Sequence, residues 1–167
     1  SRGLGDVYKR QGLRSDINGP NNCICITHKE NKENVDDCEM FKTGHPVPNE
    51  AGALASKQVI TALKKTDKND QVLFLVSGGG SALMPAPVDG VTLEDKIALN
   101  EVLLSNGLNI DEMNHIRQQV SKLKGGGLLH YADPTPVTSY ILSDVIGNDL
   151  RVVCLLYTSP SPRDSFR

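Results

Sequence analysis

Asn114, Arg117, Ser121 and Lys124 are spaced so that, at about 100° per residue, they fall in one row along a helix. Two cations and two hydrogen-bonding groups in such a row, ending at Gly125-Gly-Gly127, could line a cleft and hold an anionic ligand. Solvated Arg and Lys beside a locally bonded Ser and Asn would give the same row. The second candidate is Ser77-Gly78-Gly79-Gly80-Ser81, which follows the apolar run Val72-Leu-Phe-Leu-Val76. Glycines there leave backbone N–H groups open to a ligand, and Ser77 and Ser81 add hydroxyl donors. A bare tight turn is the competing reading, although three consecutive glycines cost roughly 1 kcal/mol each relative to alanine. The loop lacks the Gly-Lys-Ser/Thr of a P-loop and the last glycine of a dinucleotide fingerprint, and Leu83 stands where a nucleophile elbow needs glycine. His45, between Gly44 and Pro46, is a candidate acid–base group or a structural turn residue. Asp144 sits past a strand-like run, where it could orient a metal or a substrate hydroxyl, or cap a turn.

The elements that must position these residues follow from periodicity and caps. Residues 72–76 read as a buried parallel strand, with the glycine loop at the carboxyl end where open α/β sheets bind ligands. Residues 22–27 read as a short strand, and 38–43 alternate weakly. Asn49 can cap a helix over 50–65, with Ala51, Leu54, Ala55, Val59, Ala62 and Leu63 on its apolar face. Strand, helix, strand in that order is a parallel α/β unit. Residues 82–90 read as a turn-rich connection. Thr92 caps a helix to about Ser105, and Asn109 with Glu112 opens another to about Lys124, burying Met113, Ile116, Val120 and Leu123. Residues 137–142 read as a further strand. The fold class is α/β: a Rossmann-like, mostly parallel sheet with flanking helices, as an incomplete domain.

Both ends read as translated sequencing-library adapter. The codons GAT GTG TAT AAG AGA CAG encode Asp6-Val-Tyr-Lys-Arg-Gln11. The complementary strand, one base out of step, encodes Cys154-Leu-Leu-Tyr-Thr-Ser159. Residues 1–11 and 154–167 are therefore set aside, leaving 12–153 as the native segment. The whole chain has formal net charge −2, and removing the tails' excess basic residues leaves −5. An acidic segment without a basic, aromatic-laced patch argues against nucleic acid as a partner. No apolar run approaches the ~20 residues that cross a bilayer, so no membrane is expected. Three cysteines remain, Cys23, Cys25 and Cys38. An odd number without a signal peptide argues for reduced thiols and a cytoplasmic location, and with His28 they lack zinc-ligand spacing.

Four ordered stretches resemble the glycerate 2-kinases that pair an N-terminal Rossmann-like domain with a smaller C-terminal one. They are Gly44-His-Pro-Val-Pro-Asn-Glu50, residues 72–83 with Ser-Gly-Gly-Gly-Ser-Ala-Leu, Asn114-x-x-Arg117-x-x-x-Ser121-x-x-Lys124-Gly-Gly126, and Leu142-Ser-Asp-Val-Ile-Gly147. The resemblance implies transfer of a phosphoryl group from ATP, with Mg²⁺, to the 2-hydroxyl of D-glycerate. It implies that the 77–81 loop cradles phosphate or carboxylate oxygens while Arg117 and Lys124 neutralise charge. Relative to that family, Asn49 and Asn148 stand where Asp is usual and Gly127 where Arg is common. The family's upstream Gly-Lys-Ala segment, its Ala-Ser-Gly-Pro continuation and its C-terminal domain are missing. The expectation is a fragment of a kinase, inactive by itself. A non-catalytic nucleotide- or anion-binding module and a hydroxypyruvate reductase are the rival readings.

Overall fold

Ile24 and Ile26 alternate with Cys25 and Thr27, the pattern of a half-buried strand, and these residues form β1 (Ile24–His28). β1 pairs in parallel with β2 (Glu39–Thr43), in a register that sets Ile24 against Glu39 and His28 against Thr43. The structure is a computed structural model and describes residues 22–76 and 80–141. After β2 come helix α1 (Glu50–Leu63), strand β3 (Val72–Val76), a one-turn helix α2 (Gly80–Leu83), α3 (Leu93–Ser105), α4 (Ile110–Gln119), α5 (Gly127–Ala132) and β4 (Val137–Ile141). β3 and β4 also pair in parallel, Val72 opposite Val137 and Val76 opposite Ile141. The described strands thus form two parallel pairs. Both cover one core, in which Val59, Leu63, Val76, Leu123 and Leu128 are buried with Ile24, Ile26, Phe74 and Val137 packed against them. The α/β class with parallel strands and flanking helices stands as expected. Among the described residues no helix is long and apolar enough to cross a membrane.

The helix starts are where local chemistry puts them. Asn49, Thr92 and Asn109 each cap with a side-chain oxygen, and the last two form full capping boxes with Asp95 and Glu112. Asn49 Oδ1 accepts from Gly52 N at 3.1 Å and also from Gly44 N at 3.0 Å, so one amide oxygen ties α1 to the turn that precedes it. An amide oxygen accepts these bonds as a carboxylate would, which is how asparagine keeps the cap at this position. Asn49→Ala should destabilise the chain by about 2 kcal/mol, because it removes a cap and frees a second N–H. Thermal or urea unfolding measures this, and a loss below about 0.5 kcal/mol would contradict the double role. At α3 the Thr92 N–H bond to Asp95 Oδ2, 2.9 Å, holds the Asp95 carboxyl below the usual carboxylate range. With the folded value depressed, this contribution is complete above the ordinary carboxylate pKa and is lost as pH falls through the lowered one. Following the Asp95 carboxyl carbon by NMR should show a midpoint below that of an unstructured aspartate.

Tertiary contacts moved several expected features. The buried face of α1 is Gly52, Ala55, Ser56, Val59 and Leu63, while Leu54 is 52% exposed. Close approach selects small residues here: a Cβ at Gly52 would stand 2.8 Å from the Leu83 carbonyl oxygen and 3.0 Å from Pro85 Cδ. Residues 80–83, expected to be loop and turn, make the single turn α2. Residues 127–132, which begin with the last of the three glycines expected to end the preceding helix, form α5 with Leu128 and Ala132 buried. The thiols are not all reduced, because Cys23 and Cys38 form a disulfide, while Cys25 is not disulfide-bonded. The β1–β2 register explains the pairing: Ile24 faces Glu39, so the preceding residues, Cys23 and Cys38, face each other with Cα atoms 4.6 Å apart.

Candidate functional site

The segment that leaves the glycine loop meets the segment that carries Ser121 and Lys124. From α2 the chain runs through Met84, Pro85 and Ala86, all buried. It then pairs antiparallel with the chain beyond α4, through a bridge between Pro87 and Ser121. Lys122 N donates to the Ala86 carbonyl at 2.8 Å, and Ser121 Oγ lies 3.4 Å from the Pro85 carbonyl oxygen. This pairing is why α4 does not continue to Lys124. The apolar period persists in Val120 and Leu123, but the helix ends at Gln119 with Val120 as its C-cap. The helical row of Asn114, Arg117, Ser121 and Lys124 therefore does not exist as such. Asn114 and Arg117 lie on α4, whereas Ser121 and Lys124 lie on the bridged segment beyond it. Ile116, expected in the buried arc, is 38% exposed, while Met113 and Leu123 are buried as expected.

Three of the four remain together in character. Asn114, Ser121 and Lys124 are buried, Lys124 to 5% exposure, and Arg117 is half-buried. Taking an ammonium out of water costs several kcal/mol unless neighbouring groups compensate it, and both Asn114 and Lys124 interact with their surroundings. A lysine and two neutral hydrogen-bonding side chains drawn inside beside a glycine-rich segment suit an anion better than a solvated surface does. The turn after Lys124 is tight. Gly125 and Gly126 have φ of +60° and +87°, Gly127 N donates to the Lys124 carbonyl at 3.1 Å, and Leu128 N to the Leu123 carbonyl at 3.2 Å. A Cβ at Gly127 would lie 2.0 Å from the Lys122 carbonyl oxygen. An arginine at this position is incompatible with this path of the backbone.

His45 lies on the turn that Asn49 ties to α1. The His28 ring holds that turn from the other side, with Nε2 3.1 Å from the His45 carbonyl oxygen. A carbonyl only accepts, so Nε2 carries the proton, and Nδ1 accepts from Glu30 N at 3.3 Å. The two rings meet edge to face with centroids 6.1 Å apart. The contact of Gly52 with Leu83 and Pro85 places the first turn of α1 against the segment leaving the glycine loop. Of the expected loop, Gly80 begins α2 and Ser81 is its second residue. Ser77, Gly78, Gly79 and Asp144 lie outside the described residues, as do Asn148 and both terminal stretches. Sequence reasoning missed Lys96 and Asn100. Lys96 Nζ donates to the Pro85 carbonyl, and Asn100 Oδ1 accepts from Arg117 Nη2. Their spacing of four residues on α3 was the available signal, and nothing else in the sequence set it apart from a solvated face.

Parallel strands, a glycine-rich stretch that follows β3 in the sequence and a buried lysine on the segment paired with residues 84–87 define an α/β protein with a candidate site for an anion. The chain belongs to the family described as "Domain of unknown function (DUF4147)", whose model matches residues 9–164. It is 40% identical over 119 residues to D-glycerate 2-kinase of Thermotoga maritima, 71% of this chain and 28% of that protein. It is 42% identical over 110 residues to an Agrobacterium vitis protein bearing a hydroxypyruvate reductase name, 66% of this chain and 29% of that one. The crystal structure of glycerate kinase from T. maritima superposes with a TM-score of 0.82 at 32% identity, over 96% of this chain and 39% of that one. The chain thus spans between 28% and 39% of the length of these relatives.

Proposed function

We propose that this chain supplies the anion-binding part of an enzyme that transfers a phosphoryl group from ATP to the 2-hydroxyl of D-glycerate, giving 2-phosphoglycerate. The observation that carries the reading is the pairing of the 84–87 segment, which leaves the glycine loop, with the 121–124 segment that buries Lys124. Similarity to proteins named D-glycerate 2-kinase and glycerate kinase supplies the reaction class. In phosphoryl transfer the protein mainly positions groups and stabilises charge. Lys124 and Arg117 take up negative charge on the transferring phosphate or the glycerate carboxylate. The backbone N–H groups of Ser77, Gly78, Gly79, Gly80 and Ser81 cradle its oxygens, and Asn114 and Ser121 orient the ligand. His45 and Asp144 are assigned to the substrate hydroxyl, where a proton must leave.

Among the described residues no group of three or more His, Cys, Asp or Glu could hold a metal ion. The Mg²⁺ of this reading would arrive on the phosphate oxygens of ATP, as this ion usually binds.

The test is ATP-dependent phosphorylation of D-glycerate, read as 2-phosphoglycerate, in a form of the protein extended to the length of its relatives. Arg117→Ala should lower kcat/KM by about tenfold or more. Unchanged kinetics would remove Arg117 from the site. The reductase reading is favoured by one observation, the name of the A. vitis relative. It requires a nicotinamide site, and residues 78–83 lack the last glycine of a dinucleotide fingerprint. Oxidation of NADH or NADPH by hydroxypyruvate, without ATP-dependent turnover of glycerate, would decide for it.

A further inference from the structure

We infer that Asn100 is a positioning residue for Arg117: its amide oxygen aims the guanidinium at an anionic ligand without neutralising it. The inference rests on the anion-site reading above and adds to it a residue on another helix. Arg117 occupies the last turn of α4 and is half-buried. α3 packs against α4, and from it Asn100 Oδ1 accepts a hydrogen bond from Arg117 Nη2.

A guanidinium has five N–H donors in a rigid fork, so one bond to Asn100 fixes its orientation and leaves four for a ligand. The acceptor is neutral. A carboxylate in its place would form a charge-assisted, bidentate pair and compete directly with a phosphate or carboxylate ligand for the same fork. An amide holds the side chain while leaving the positive charge available. Lys96, one turn earlier on α3, reaches the Pro85 carbonyl, to which Ser121 also points. The Lys96–Asn100 face of α3 therefore braces both segments of the site, and the capping box at Thr92 fixes where that face begins.

A structural brace and a neutral positioner predict different outcomes when Asn100 becomes aspartate. Inorganic phosphate is titrated into the 167-residue chain by calorimetry, and the Arg117 side-chain nitrogens are followed by NMR. In the starting protein the Arg117 Nη resonances should be split by hindered rotation, and phosphate should shift them. Asn100→Ala should collapse the splitting and weaken phosphate binding about tenfold. Asn100→Asp should keep the splitting, because the guanidinium stays held, yet weaken phosphate binding about tenfold. Splitting that survives in Asn100→Ala, or wild-type phosphate affinity in Asn100→Asp, overturns the inference while the anion site stands. Phosphate binding that is unaffected by Arg117→Ala removes Arg117 from the anion site, and this inference with it. If Asn100→Ala fails to fold, Asn100→Ser replaces it: serine lacks the amide oxygen that accepts from Arg117 Nη2, so the splitting should collapse there too, and splitting that survives overturns the inference.

Discussion

Lys124→Met, in a form of the protein extended to the length of its relatives, should lower kcat/KM for ATP-dependent phosphorylation of D-glycerate by about 100-fold or more. Methionine fills the path of the lysine stem and removes the ammonium, so the change isolates charge from packing. Electrostatics decides the size of the effect. At 5% exposure Lys124 is shielded from water, and a fixed charge in such a setting acts on a developing anion far more strongly than a solvated one. Arg117, half-buried and still partly screened, is assigned the smaller effect for the same reason. Methionine replaces the lysine alone, so whatever group the ammonium compensates is left unpaired, and the thermal midpoint of the variant is measured beside its kinetics. A folded variant whose kcat/KM stays within about threefold of the starting enzyme would show that Lys124 is buried for the fold alone.

What the sequence showed and what it hid divide along the line between local and tertiary causes. Asn49, Thr92 and Asn109 cap helices because a side-chain oxygen three residues before a free N–H needs nothing else. The α4 boundary was hidden because Val120 and Leu123 continue the apolar period while Ser121 leaves the helix to pair with Pro87. No count of apolar spacing contains that bridge. Leu54 and Gly52 make the same point in reverse: hydrophobicity favours burying the leucine, but the close approach of Leu83 and Pro85 buries the glycine. Cysteine parity failed at Cys23 and Cys38 because pairing depends on strand register, which a weakly alternating β2 does not reveal. In the site, burial of Lys124 was the informative fact and was invisible from spacing. The helical row placed it beside Arg117, whereas the bridged segment places it after a change of direction. Lys96 and Asn100 reach the site from a helix whose sequence reads as a solvated face, so only the packing of α3 against α4 brings them into view.

Gly127→Ala should be among the most destabilising single changes in this chain, at about 3 kcal/mol, near the top of the range for overpacking. The added Cβ would sit 2.0 Å from the Lys122 carbonyl oxygen and 2.8 Å from its carbonyl carbon, so backbone, not a flexible side-chain end, must give way. Gly125 supplies the control. Its φ of +60° makes a side chain cost about 1–2 kcal/mol, but a Cβ there meets only Gln118 atoms at 3.6 Å or beyond. Gly125→Ala should therefore lose less stability than Gly127→Ala, although only Gly125 has a positive φ. The effect of Gly127→Ala also reaches the site. Lys122 N is bonded to the Ala86 carbonyl, so displacing the Lys122 carbonyl pulls on the strand bridge and on Lys124 two residues on. For a chain of this size the midpoint should fall by about 6–12 °C. Calorimetry of the two alanine variants tests the ordering, and an equal or larger loss at Gly125 would mean that the 122–127 turn has slack that its geometry does not suggest.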